Sequence, residues 1–115
     1  MSAVETLNWN QFKRHVIPGE YNGVWRNVPK HRDFKFGQPV EELAQDVAQN
    51  GVQSPLLVYR PENEAKGVLI DGHHRAVAAG MVGADIPFTY TDDPQWEAQA
   101  QVAKEAHLHK RRFTA

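Results

Sequence analysis

At 115 residues and 13.0 kDa the chain has room for one domain with its own core, and 41% hydrophobic with 23% charged residues is a globular balance rather than a disordered one. It has no cysteine, which excludes a disulfide scaffold, a thiolate zinc site and a cysteine nucleophile. The net charge of −1 hides a division: residues 13–35 carry six Lys or Arg against two acids, residues 41–99 three against ten, and residues 104–112 four against one. Two basic ends around an acidic middle fit a polyanion partner, or a pairing of ends with middle inside the chain.

The start of the chain lacks the basic-then-apolar order of a signal peptide, and no apolar run reaches about 18 residues. A cytoplasmic protein with no membrane partner is expected. Trp9, Phe12 and Val16 repeat at helical spacing after Asn8, predicting a short helix that Pro18-Gly19 stops. Residues 20–37 read as a long loop with at most one short strand, anchored by Tyr21, Trp25, Phe34 and Phe36. Pro39, Glu41 and Glu42 suit the first turn of a second helix. Its apolar stripe is Val40, Leu43, Ala44, Val47 and Ala48, and Asn50-Gly51 supplies a left-handed stop. Residues 55–59 predict a buried strand, residues 61–67 a polar turn, and residues 68–70 a second strand antiparallel to the first.

Asp71-Gly72-His73-His74-Arg75 follows that strand directly, and Ala76, Val77, Ala78 and Ala79 begin a compact helix closed near Gly80 to Gly83. Residues 86–90 read as a third strand, with Pro87 at a sheet edge or a strand start. Asp92-Asp93-Pro94 opens a last helix with Trp96, Ala100, Ala103 and His107 on one face. Residues 110–115 form a basic, frayed tail. No repeat, linker or heptad run divides residues 1–115.

The turn at 71–75 carries the chemistry. A glycine between strand and helix permits unusual backbone angles and close approach of a ligand. Backbone N–H groups at a helix start, with the dipole, make an anion site. Arginine there is unfavourable for the dipole, so Arg75 points to a bound anion such as phosphate. The alternative is Arg75 paired with Asp71 or another acid. Asp71 would hold Mg²⁺ or orient His73, or would simply bond the strand-end backbone. Adjacent His73 and His74 diverge by roughly 100° on a helix and are not a His-x-x-x-His zinc pair. His107 and His109 face different sides of theirs and read as partner-free. The three tryptophans read as core anchors. Lys110, Arg111 and Arg112 would contact DNA phosphates, or form a solvated tail.

Three boxes in order resemble the ParB/sulfiredoxin superfamily over residues 27–90. Residues 39–55 (PVEELAQDVAQNGVQSP) are similar to the helix and Gly-x-x-x-Pro turn opening the ParB N-terminal domain. Residues 68–75 (VLIDGHHR) are similar to its strand and Gly-Glu-Arg-Arg box, and residues 76–88 (AVAAGMVGADIPF) to the small-residue helix leading to Ile-Pro. The resemblance implies a single α+β domain, a small mixed sheet packed with three to four helices. It implies a nucleotide site (ATP, ADP or CTP, with Mg²⁺) in which Gly72, His73, His74 and Arg75 cradle phosphate. Gly51, Gln53, Ser54 and Pro55 would form the facing loop, near base or sugar. Asn27 and Arg32 echo an early Asn-Pro…Arg box, and Arg32 joins the tail as a DNA contact.

The departures narrow the chemistry. His73 stands where sulfiredoxins have their nucleophilic cysteine, so peroxiredoxin repair is excluded. His73-His74 stands where ParB has Glu-Arg, and the family's metal-binding Glu-Asn falls near Ala106-His107, where the acid is missing unless Glu105 substitutes. The chain stops where the family's helix-turn-helix and dimerisation domains follow, so a domain without them is expected. The expected function is a nucleotide- or nucleic-acid-phosphate-binding domain associated with DNA. One alternative is a metal-dependent nuclease or a nucleotide-dependent phosphotransferase, with Asp71 or His73 as base or metal ligand. Another is a phage-type factor that binds a host protein and has lost catalysis.

Overall fold

Five strands hydrogen-bond into one mixed sheet in the computed structural model, which describes residues 4–28, 40–61, 64 and 66–114. In chain order they are β1 (Glu5–Leu7), β2 (Val16–Pro18), β3 (Leu56–Tyr59), β4 (Gly67–Asp71) and β5 (Ile86–Thr91), and across the sheet they run β1-β5-β3-β4-β2. β3 and β4 are antiparallel, as the sequence predicts, and so are β1 and β5. β3 pairs β5 and β2 pairs β4 in parallel. Four α-helices accompany the sheet among the described residues: α1 (Trp9–His15), α2 (Val40–Asn50), α3 (His73–Val82) and α4 (Glu97–Thr114). The α+β class with a small mixed sheet is therefore as expected.

Local chemistry sets the boundaries. Asn8 caps α1 in a reciprocal box: its side chain accepts the N–H of Gln11 at 2.9 Å, and the Gln11 side chain accepts the N–H of Asn8 at 3.4 Å. The helix ends at His15, earlier than Pro18-Gly19, because residues 16–18 leave it to pair with β4. Pro18 is tolerated because β2 is an edge strand. The indole N–H of Trp25 donates to the carbonyl of Val16 at 2.8 Å. The start of the long predicted loop is not a strand but two 3-10 turns, Tyr21–Gly23 and Trp25–Asn27. Phe34, Phe36 and Pro39 lie outside the described residues. α2 buries Ala44 and Val47, half-buries Leu43 and, against expectation, leaves Ala48 exposed.

The strands alternate between two apolar clusters, the period-2 signature of a sheet covered on both faces. Val16, Leu56, Val58, Leu69 and Phe88 pack with Phe12 of α1, Val47 of α2 and Ala76 to Ala79 of α3. Ile17, Tyr59 and Val68 face the other way, onto Ala100 and Ala103 of α4. The small side chains of α3 let it lie against α1, where Gly80 meets the Trp9 ring. Trp9 and Trp25 pack at the margin of the first cluster and Trp96 at that of the second, as anchors. Pro87 is the second residue of β5, an interior strand, so the edge alternative does not hold. The parallel ladder to β3 begins only at Phe88, which places the missing N–H of Pro87 at a strand start. α4 is longer than expected: it continues to Thr114 where a frayed tail was predicted.

Candidate functional site

A single residue separates the end of β4 from the start of α3. Gly72 adopts φ 104°, ψ 23°, a conformation that side-chain-bearing residues rarely reach. A Cβ there would also collide with the buried side chain of Leu56 at the start of β3. Only glycine permits so abrupt a strand-to-helix turn at this place. The helix therefore begins at His73, three residues earlier than the apolar pattern alone indicates, and its first turn is His73, His74 and Arg75. Its first internal bond runs from the N–H of Ala76 to the carbonyl of Gly72 at 2.9 Å, and no side chain among the described residues caps its start. The positive end of α3 is thus left to its surroundings.

That end opens on a cleft of about 560 Å³. Asp71, Gly72, His73, His74 and Arg75 line one wall, with Ile70 beside them. Ile70 is the extra residue of a β-bulge, since Leu57 pairs Asp71 while Val58 pairs Leu69. A bulge re-aims side chains, and here two successive residues of β4 reach the same cleft. Pro55, Leu56 and Leu43 form an apolar floor, and Glu20 adds a carboxylate. Arg75 is exposed and makes no ion pair among the described residues, so the pairing with Asp71 is not formed. A smaller cavity of about 130 Å³ shares Arg75 and Leu43 and is lined by Gly51, Gln53 and Ser54. The predicted facing loop therefore divides: Pro55 belongs to the main cleft and the other three to the cavity behind Arg75.

The histidines differ sharply. His73 is buried at 5% exposure, and its Nε2 accepts the backbone N–H of Gly19 at 2.9 Å. Its Nδ1 lies 3.9 Å from an Oε2 of Glu20. His74 is half-buried, with Nε2 3.4 Å from the hydroxyl of Tyr21. The Tyr21 ring stands edge-on to both imidazoles, at 5.9 and 6.0 Å between centroids. Tyr21 and Asn22 both have left-handed backbone, at φ 58° and 59°, which costs roughly 1–2 kcal/mol at Tyr21 and less at asparagine. The Asn27 side-chain amide holds the turn by donating to the carbonyl of Tyr21 at 3.2 Å. His107, expected to be partner-free, instead donates from Nδ1 to the carbonyl of Gly23 at 2.6 Å, tying α4 to the same turn. Sequence reasoning missed Glu20 and Leu43 at the cleft and read Tyr21 only as an anchor. No local pattern marks the first, because β2 brings it there through pairing with β4.

Arg32 lies outside the described residues. So do the side chains of Lys110, Arg111 and Arg112, and that of His109. No helix among the described residues is long and apolar enough to cross a membrane.

No family model matches the chain, and neither does any curated protein. Among solved structures it is similar to the C-terminally truncated chromosome-partitioning protein ParB from Caulobacter crescentus, complexed with CTP-gamma-S. The two share 16% identity and superpose with a TM-score of 0.52 over 94% of this chain. The chain spans about half of that structure, 52% of its length. The likeness establishes a ParB-like α+β fold.

Proposed function

We propose that the cleft at the start of α3 binds the phosphates of a nucleotide, with CTP and ATP as the first candidates. One observation carries the reading: a helix N-terminus with no side-chain cap and the exposed Arg75, with no ion pair among the described residues, open on the same 560 Å³ cleft. The similar ParB structure holds a CTP analogue, which supports a nucleotide over a simple anion. In this reading Arg75 forms charge-assisted bonds to phosphate oxygens, and the amides of the first turn of α3 add neutral donors. His74 lies beside them, within reach of the same ligand. The adjoining cavity with Gly51, Gln53 and Ser54 is offered to the sugar or base.

Glu20 and Asp71 would repel a bare polyphosphate. Their hard oxygen donors suit Mg²⁺, which is commonly held by one or two carboxylates together with substrate phosphates. The two carboxylates would hold the ion, whose charge would neutralise both them and the phosphates. His73 supplies no base in this reading, because its Nε2 already accepts the Gly19 N–H. An association with DNA through the basic ends remains part of the proposal. The nuclease, phosphotransferase and host-protein readings have no further observation in their favour.

Thermal shift with CTP, ATP and ADP, with and without Mg²⁺, tests the site on wild type and Arg75→Ala. A stabilisation by at least one Mg²⁺-nucleotide is expected, together with its loss in the variant. Losing a charged hydrogen-bond donor should weaken binding by about 10- to 100-fold. No shift with any nucleotide refutes the reading.

A further inference from the structure

We infer that His73 is the positioning residue of this cleft: a buried latch, not a ligand contact, that fixes the turn bearing Glu20 and Tyr21 against the first turn of α3. The inference deepens the nucleotide reading, and only its binding arm rests on that reading. An imidazole nitrogen that accepts an N–H carries no proton. The bond from Gly19 to Nε2, at 2.9 Å, therefore puts the proton of the neutral ring on Nδ1. Nδ1 faces the Glu20 carboxylate at 3.9 Å, a separation at which the negative charge favours that tautomer without a direct hydrogen bond. The ring is also enclosed by Tyr21 and Trp25, at centroid distances of 5.9 and 6.3 Å.

The segment it holds needs holding. Left-handed backbone at two successive non-glycine residues persists only where its surroundings over-determine it. The contacts of Asn27 and His107 fix the far side of the turn. His73 fixes the near side, and it does so from the helix whose N-terminus forms the proposed phosphate site. It thereby transmits the position of α3 to Glu20, whose carboxylate lines the cleft.

The test uses the whole chain, labelled with ¹⁵N-histidine and free of ligand, at neutral pH. Long-range ¹H–¹⁵N spectra should show His73 protonated at Nδ1 and bare at Nε2, and the Gly19 amide should exchange slowly. A proton on Nε2, or fast exchange at Gly19, overturns the latch. Two variants give the second readout. His73→Gln can still present an acceptor to Gly19, whereas His73→Leu cannot. CTP with Mg²⁺ is expected to bind His73→Gln within about threefold of wild type, and to bind His73→Leu about tenfold more weakly. Equal affinities in the two variants overturn the positioning role. If wild type binds no CTP, the nucleotide reading fails, and the tautomer and the Gly19 exchange still decide the latch on their own.

Discussion

Gly72→Ala is the substitution to which the architecture is most sensitive. The alanine would have to hold φ near 104°, at a cost of roughly 1–2 kcal/mol for leaving the allowed regions. Its methyl would also overlap the side chain of Leu56, which is 2% exposed and packed in the first apolar cluster. Overpacking of that kind costs about 1–3 kcal/mol. The sum, about 2–5 kcal/mol, is a large part of a total stability on the order of 10 kcal/mol. Urea unfolding should report it directly, and the melting temperature should fall by roughly 4 °C for each kcal/mol. A double-mutant cycle separates the two causes. Leu56→Ala alone costs about 2–5 kcal/mol, but in the Gly72→Ala background it also removes the overlap. The double variant should then lose less than the sum of the singles by about 1–3 kcal/mol. A loss below about 1 kcal/mol for Gly72→Ala, or strict additivity in the cycle, would refute the reasoning.

Gly80→Ala sets helix propensity against packing. Alanine gains about 1 kcal/mol in a helix interior, but its Cβ would sit 2.6 Å from Cγ of Trp9. A net loss of up to about 2 kcal/mol is expected, with a shift in tryptophan emission, and a more stable variant would show that α1 yields easily. Asp93 gives a pH signature. Its carboxylate accepts the backbone N–H of Gln95, then the Gln95 side-chain amide, and these bonds hold its pKa below the usual range. A depressed folded-state pKa stabilises the ionised form, so this contribution is present above the ordinary carboxylate range and is lost as pH falls through the folded value. The gap in melting temperature between wild type and Asp93→Asn should be level above about pH 5 and narrow below it. A gap that stays constant into acid would mean that the charge is not what matters.

Elements with a strong period or a cap were legible from sequence. The stripe of α2, the apolar run of β3, the antiparallel β3–β4 pair and the small-residue helix α3 all carry their signal within a few residues. β1 and β2 did not, because three residues hold no alternation and their strand character comes from pairing with β5 and β4. The helix start at His73 was hidden because the first turn of α3 is polar, so apolar periodicity begins only at Ala76. At the site, the run from Asp71 to Arg75 was visible because strand, glycine and helix are contiguous. Glu20, Tyr21 and His107 were not, since the chain carries no local trace of residues that meet only in the fold. The same holds for the roles of the two histidines. Adjacent in sequence, they part because one points at Gly19 and the other at the Tyr21 hydroxyl.

Amide chemical-shift mapping with CTP and Mg²⁺ probes the anion cleft most directly. Backbone resonances of residues 72–76 should move in a saturable way, together with the Arg75 side-chain Nε–H, while α4 outside the Gly23 contact stays still. Unchanged resonances at the start of α3 with millimolar CTP or ATP, or shifts confined to some other surface, would contradict the account.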